Sequence, residues 1–578
     1  MEMINLKIND KEYSVPKNAT VLEAARYAGI DIPTLCYLKD INEIGACRIC
    51  LVEVKGARGL ATACVCPVNE GMEIYTNTPK VIAARKMNLE LLLSAHDKQC
   101  LSCVRSTTCE LQKLCLDYGV DENYFSGEKA TYEIEDNGTS IVRDNNKCIL
   151  CRRCVGACSN LQGIGAISAV NRGFDTMIAP SFNQKLTETT CINCGQCIVA
   201  CPTGALHEKD DTQKVMDALA DKSKHVAIFF APSIRATLGE CFGYEPGTDV
   251  EGKMVAAAKA LNFDGVYDMN LTADLTIMEE AHEFIERLQN GGTLPMITSC
   301  SPGWIKYCEH YFPEMTENLS TCKSPQQMFG AMYKTYYAQK MGLDPKDIVT
   351  VSCIPCTAKK FEVTRDDQNA AGVPDVDIAI TTREYARLVE KAGINFKILP
   401  NGQFDDPFDV GSGAGIIFGA TGGVMEAALR TAAEVVTGKP LESVDFTEVR
   451  GTDGIKRATY KLGDIELKVA VVSGTKNAKK LLQAVQAGEE QVHFIEVMAC
   501  PGGCVNGGGQ PTQPAAVRNN TDLRAVRASV LYKADVAYDI RKSHENSAVK
   551  KIYDEYLEKP GSHKAHEILH TSYVKRGQ

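Results

Sequence analysis

Two stretches of this sequence repeat one spacing: Cys148-x-x-Cys151-x-x-Cys154-x-x-x-Cys158 and Cys191-x-x-Cys194-x-x-Cys197-x-x-x-Cys201-Pro202. Thiolates at these intervals wrap a cubane of four irons and four sulfides, and the fourth cysteine of each run ligates the cluster of the other. Zinc has no use for such a run twice over. The repeat therefore implies two four-iron clusters side by side, and electron transfer. Upstream stand Cys36, Cys47, Cys50 and Cys64. Four thiolates suit zinc or a two-iron cluster. A ribbon-type zinc site carries two Cys-x-x-Cys pairs, whereas only Cys47 and Cys50 are so paired, which favours two irons. Between these groups lie His96, Cys100, Cys103 and Cys109. Taken alone, three cysteines and a histidine read as zinc. Their neighbours point instead to a third accessory cluster, in which nitrogen ligation raises the potential.

The chain has 578 residues and 25 cysteines, 17 of them at or before residue 201. With 44% hydrophobic and 24% charged residues it can bury a core, so it does not need a disulfide scaffold. A net charge of −10 argues against a nucleic-acid partner, which would need a basic surface. No run of about eighteen apolar residues predicts a membrane span, and the start lacks a signal-peptide layout, so a cytoplasmic location is expected.

The elements that must position these residues can be read in part. Residues 3–15 alternate like a hairpin, and Thr20-Val-Leu-Glu23 is a capping box for a short helix ending near Gly29. Residues 80–95 read as a strongly amphipathic helix that delivers His96. After a polar stretch through 208–224, short apolar strands begin at Val226, Gly265, Leu294, Asp347, Val376, Lys468 and Val492, alternating with helical segments. That alternation predicts parallel sheets covered by helices, with ligands beyond the carboxyl ends of the strands. Three of these strands run into cysteine: Thr298-Ser299-Cys300, Cys353-Ile354-Pro355-Cys356, and Met498-Ala499-Cys500-Pro-Gly-Gly-Cys504. Parallel packing would gather Cys300, Cys356, Cys500 and Cys504 into a further metal centre; otherwise they are small buried hydrophobes. The Gly-rich segment 411–423 ends without Gly-Lys-Ser/Thr and lacks G-x-G-x-x-G, so it predicts close packing around a cofactor and not a nucleotide loop. Glu280, Glu283 and Arg287 share one helical face, which by spacing alone reads as a solvated charged face.

The segments Thr298-Ser-Cys-Ser-Pro-Gly-Trp304, Ile354-Pro-Cys-Thr-Ala-Lys-Lys-Phe-Glu362 and Phe494-Ile-Glu-Val-Met-Ala-Cys-Pro-Gly-Gly-Cys504, followed by Gly-Gly-Gly-Gln-Pro511, resemble the three signature segments of iron-only ([FeFe]) hydrogenases. The resemblance spans the whole chain, in the clostridial layout with four accessory clusters, which is also that of the catalytic subunit of NAD(P)-linked, electron-bifurcating complexes. It implies an α+β multidomain protein: a β-grasp [2Fe-2S] ferredoxin-like domain over 1–78, a [4Fe-4S] segment held by one histidine and three cysteines over 79–125, a two-[4Fe-4S] ferredoxin domain over 126–210, and an α/β catalytic domain over 211–578. It implies an H-cluster, a four-iron cubane bridged by a cysteine to a two-iron site with CO, cyanide and azadithiolate. By this resemblance Cys356, Cys500 and Cys504 ligate the cubane, Cys504 in the bridging position. Lys359 donates to a cyanide, and Pro232, Ser233, Gln326, Phe418 and Met498 line the two-iron pocket. Glu280, Glu283, Arg287 and Ser320 correspond to its proton path. Many relatives have two adjacent cysteines before Pro-Gly-Trp, a proton relay and then a ligand. Here the pair is Cys300-Ser301, so Cys300 contacts the centre as relay or as ligand.

The implied activity is reversible H2 oxidation and proton reduction, with electrons passing to or from ferredoxin and NADH-binding flavoprotein subunits. The first 200 residues also resemble the iron–sulfur subunit of respiratory NADH dehydrogenase, so a non-catalytic electron wire or sensor is the rival, and a pterin-dependent formate enzyme a third option. The three signature segments discriminate, because a wire has no need of them. Six cysteines remain unassigned: Cys66, Cys115, Cys241, Cys308, Cys322 and Cys353.

Overall fold

The computed structural model describes residues 2–405, 411–463 and 465–577. They pack into two compact units, one of Met1–Thr189, Gln196–His207 and Thr512–Thr521, the other of Thr190–Gly195, Glu208–Pro511 and Asp522–Gln578.

In the first unit the alternation of Ile4, Leu6 and Ile8 buries one face of strand β1 (Met3–Ile8). Asn9 and Asp10, both in the left-handed region, turn the chain into antiparallel β2 (Lys11–Pro16). With β3 (Leu51–Val54), β4 (Ala61–Thr62) and β5 (Glu73–Tyr75) they form a five-stranded mixed sheet in the order β2-β1-β5-β3-β4. Helix Val21–Tyr27 packs Val21, Leu22, Ala24 and Ala25 into the core under this sheet, completing the expected β-grasp arrangement. Its capping box is formed: Thr20 Oγ1 accepts from the Glu23 amide at 3.3 Å, and the Thr20 amide donates to Glu23 Oε2 at 2.8 Å. Helix Pro79–Ala95 lies where expected but is less cleanly amphipathic than its sequence suggests. Its inner face includes Arg85 and Glu90, while Ile82, Met87 and Leu91 are exposed. Arg85 is held inside because its guanidinium donates to Leu51 O at 2.7 Å and to Tyr118 Oη at 3.1 Å.

The second unit contains two four-stranded sheets. In the first, β6 (His225–Phe230), β7 (Gly265–Asp268), β9 (Ile348–Ile354) and β10 (Ile378–Thr381) are all parallel, in the order β7-β6-β9-β10. In the second, β8 (Met296–Ile297), β11 (Ile455–Leu462), β12 (Ile465–Ser473) and β13 (Phe494–Met498) run β8-β13-β12-β11. Strands β8, β13 and β12 are parallel, and β11 is an antiparallel edge joined to β12 as a hairpin. Each sheet has its own apolar core. Apart from the edge strand β11, the strands of both are largely runs of buried residues, the pattern of sheets covered on both faces.

Candidate active site

In three of these strands the chain leaves the sheet directly into a cysteine-bearing turn. Strand β8 leads to Ser299-Cys300, β9 to Pro355-Cys356, and β13 to Ala499-Cys500 with Cys504 beyond. Cys300, Cys356, Cys500 and Cys504 line one cavity of about 80 Å³, together with Lys359. Two strands of one sheet and two of the other end at this cavity, because β6 delivers Ala231, Pro232 and Ser233 to the same wall. Gln326, Phe418 and Met498 complete the apolar lining, so all five pocket residues expected by resemblance face it. The Gly-rich segment packs closely, as its composition suggests. A Cβ on Gly419 would lie 2.4 Å from Leu531 Cδ1, and one on Gly423 only 1.8 Å from Ile417 O.

The cavity suits a metal cluster held by sulfur. Burial pushes the Cys504 thiol up to about 12, with the charge of Cys356 adding and that of Lys359 opposing. Burial also raises the Cys300 and Cys356 thiols. Thiols so placed ionise only when a cation compensates the charge, which is what iron supplies. Lys359 is the cation on the wall. Its Nζ lies 2.9 Å from Glu362 Oε2, and Glu362 in turn accepts from Ser324 Oγ at 2.9 Å and Gln326 Nε2 at 3.0 Å. Ser301, beside Cys300, accepts the Ala499 amide on its Oγ at 3.2 Å. Cys300 and Ser301 both line the cavity, and Cys300 is the sulfur of that turn.

One residue that the sequence reading left without a role ties the wall together. Gln510 Oε1 accepts from Thr237 and Thr382 at 2.7 and 2.9 Å, and its amide donates to Cys504 O at 3.1 Å and Ser233 Oγ at 3.3 Å. Its place in the Gly-Gly-Gly-Gln-Pro stretch was the only signal available. Cys353, by contrast, is fully buried in the core of the first sheet and does not line the cavity.

The three proton-path residues on helix Asn270–Asn290 share one face, as their spacing requires, but the face is not solvated. Glu280 is fully buried, and neither of its carboxyl oxygens has a hydrogen-bond partner. Burial, with the Glu283 charge adding to it, raises its pKa to about 8. Ser320 Oγ donates to Glu283 Oε2 at 3.0 Å, and Arg287 Nη2 lies 2.6 Å from Glu283 Oε1. Ser320, Glu283 and Arg287 thus form a hydrogen-bonded run, and Glu280 lies within electrostatic reach of both Glu283 and Cys300.

The accessory cysteines converge as well. Cys36 hydrogen-bonds to Cys47 and Cys64, and Cys50 to Cys64, so four thiols meet around one point. Cys148, Cys151, Cys154 and Cys201 line a single small cavity, which is the crossed pattern the spacing predicts. Backbone amides already point at sulfur: Leu150 N at Cys148 Sγ, 3.4 Å, and Ala166 N at Cys158 Sγ, 3.3 Å. His96 is buried with its Nδ1 unpartnered, and burial lowers its pKa to about 4, leaving a neutral imidazole fit to ligate. Cys109 and Cys100 each sense the Cys103 charge. Cys191 and Cys194 belong to the second unit, where Cys194 reaches the cavity wall. Gly508 packs on that loop: a Cβ there would lie 2.2 Å from Cys194 O and 2.6 Å from Gly195 Cα.

Known proteins share these features. Residues 224–508 match the family described as iron only hydrogenase large subunit, C-terminal domain, and 521–576 the iron hydrogenase small subunit. Residues 1–79 match a 2Fe-2S iron-sulfur cluster binding domain, 85–123 the NADH-ubiquinone oxidoreductase-G iron-sulfur binding region, and 147–205 a 4Fe-4S dicluster domain. The chain is 49% identical to the NADP-reducing hydrogenase subunit HndD of Solidesulfovibrio fructosivorans, over 100% of both chains. It is 44% identical to iron hydrogenase 1 of Clostridium pasteurianum, over 99% of this chain and 100% of the relative. Among solved structures, apo [FeFe]-hydrogenase HydA1 from Chlamydomonas reinhardtii aligns with a TM-score of 0.56 at 42% identity, covering 63% of this chain and 99% of that one. Together with the cysteine-lined pocket at the strand ends, these relatives, matched over their full length, place this chain in the iron-only ([FeFe]) hydrogenase family.

Proposed function

We propose that this hydrogenase interconverts H2 with protons and electrons at the cavity beyond β8, β9 and β13, in exchange with ferredoxin and an NAD(P)-linked flavoprotein partner. The observation that carries the reading is the single cavity shared by Cys300, Cys356, Cys500, Cys504 and Lys359. The H-cluster, when bound, supplies the metal pair that cleaves or forms H2. Cys356, Cys500 and Cys504 would hold its iron through their sulfurs. Cys300 is the sulfur beside them from the β8 turn, next to Ser301, whose Oγ accepts the Ala499 amide. Lys359, the cation on that wall, would donate a charge-assisted hydrogen bond to an anionic ligand of the bound cluster. Pro232, Phe418 and Met498 exclude water, while Ser233 and Gln326 present polar atoms.

Protons move along chain residues. Glu280, with a pKa of about 8, holds a proton at neutral pH and can release it, the property of a general acid–base group near its working pH. Ser320 and Glu283 carry it outward, and Arg287, permanently charged, holds the Glu283 carboxylate in place. Electrons enter through the thiolate-held clusters of the first unit, one [2Fe-2S] and three accessory [4Fe-4S], and Cys194 on the cavity wall is the last step. A full-length relative named as an NADP-reducing hydrogenase subunit supports the NAD(P)-linked partner. No described helix is long and apolar enough to cross a membrane, consistent with a cytoplasmic enzyme.

Anaerobically matured protein tests this directly. Infrared bands of carbonyl and cyanide, with H2 evolution from reduced ferredoxin, are expected. NADH should serve as donor only when the native flavoprotein subunits co-purify. Protein that matures with iron but shows no such bands would be an electron wire.

A further inference from the structure

Cys322 and His570 stand opposite each other in an isolated antiparallel pairing. The Lys323 amide donates to Leu569 O and the Thr571 amide to Thr321 O, both at 2.8 Å. Bonds that flank a pair in this way bring its two side chains close together on one face. Glu283 completes a triad: one ligand atom from each of Glu283, Cys322 and His570 lies within 4.8 Å of the other two. Cys322 is 1% exposed, and its Sγ points at Glu283 Oε2 from 3.8 Å. The imidazole is already oriented. His570 Nε2 faces Glu279 Oε2 at 3.2 Å, and Glu279 is fixed by Tyr553 Oη at 2.6 Å and the Gly561 amide at 2.9 Å. A carboxylate behind one ring nitrogen leaves the other as a lone pair, the usual arrangement behind a metal-bound histidine. That nitrogen, Nδ1, now meets only the Thr321 hydroxyl, at 2.7 Å. The exposed His566 stacks its ring on that of His570 at 3.9 Å.

Thiol, imidazole and carboxylate together are a zinc donor set. Ligands about 2.0–2.3 Å from zinc sit roughly 3.3–3.7 Å apart, so rotation of these side chains by about an ångström closes the site. We propose that Glu283, Cys322 and His570 bind zinc or another thiophilic divalent cation, and that the bound ion halts turnover by withdrawing Glu283 from Ser320. The second half rests on Glu283 being a proton carrier. Binding releases the Cys322 proton, and water fills the fourth position.

The test uses matured holoenzyme with one equivalent of Zn2+. X-ray absorption at the zinc edge should show one sulfur with nitrogen and oxygen, and H2 evolution should fall roughly tenfold or more, the scale of a lost proton-transfer step. Cys322→Ala and His570→Asn, with unchanged iron content and infrared bands, should turn over normally, lose the sulfur-containing shell and resist zinc. Equal zinc affinity in the wild type and both variants would overturn the site. Zinc held with one sulfur, lost in both variants, yet without effect on turnover would uphold the site and overturn its link to Glu283.

Discussion

Glu280→Gln separates two consequences of one buried carboxyl. In the unfolded chain this group loses its proton near the ordinary 4.5, in the folded protein only near 8. Between those values the unfolded state binds fewer protons than the folded one, so stability falls as pH rises, and it levels off above 8. The gap corresponds to roughly 5 kcal/mol at pH 8. Glutamine keeps the volume and takes no charge. The variant should therefore match the wild type near pH 5 and exceed its stability by several kcal/mol near pH 8. The same change removes the exchangeable proton, so turnover should drop by about a hundredfold or more while cluster spectra persist. The single tryptophan, Trp304, lies fully buried in helix Pro302–Tyr311 beside the cavity and reports unfolding of this unit by fluorescence. Denaturation of wild type and variant at both pH values, with H2 evolution from the same samples, makes the comparison. A stability gain equal at pH 5 and pH 8, or turnover left intact, would refute the reasoning.

Cys300→Ala should lose cubane iron whereas Ser301→Ala should keep it; iron per chain decides. Equal iron in both variants would remove Cys300 from the ligand set. Gly508→Ala should force the Cys194 loop from the cavity wall, since the added methyl meets backbone that cannot yield. Altered electron paramagnetic resonance of the neighbouring cluster and slowed turnover are expected, and wild-type signals at wild-type rate would count against it.

Much of this was legible before any coordinates. The cysteine runs are local, and cluster geometry fixes their spacing, so convergence of Cys148, Cys151, Cys154 and Cys201 could be read directly. The seven strands from Val226 onward were visible as apolar runs because parallel sheets bury both faces. Edge strand β11 was missed: Ile455-Lys-Arg-Ala-Thr-Tyr-Lys-Leu462 mixes lysine and arginine into a strand paired on one side only. Helix Pro79–Ala95 was over-idealised, because sequence cannot show that Arg85 finds an inward carbonyl. The charged face of Glu280, Glu283 and Arg287 read as solvated by spacing, and only packing reveals that Glu280 is buried. Gln510 and the pairing of Cys322 with His570 depend on contacts across 273 and 248 positions, which no local pattern carries.

The walls of the pocket are drawn from Cys194 through Gly507, and the sulfurs of Cys300, Cys356, Cys500 and Cys504 are separated by up to 204 positions. A nascent chain thus owns no complete receptacle until Cys504 has left the ribosome. Metal delivery to this centre must be a late event, whereas the amino-terminal thiols can be loaded while synthesis continues. A cell making the protein faces an interval in which a wired but inert polypeptide accumulates, and the supply of the two-iron unit, not translation, then sets how much active catalyst it has.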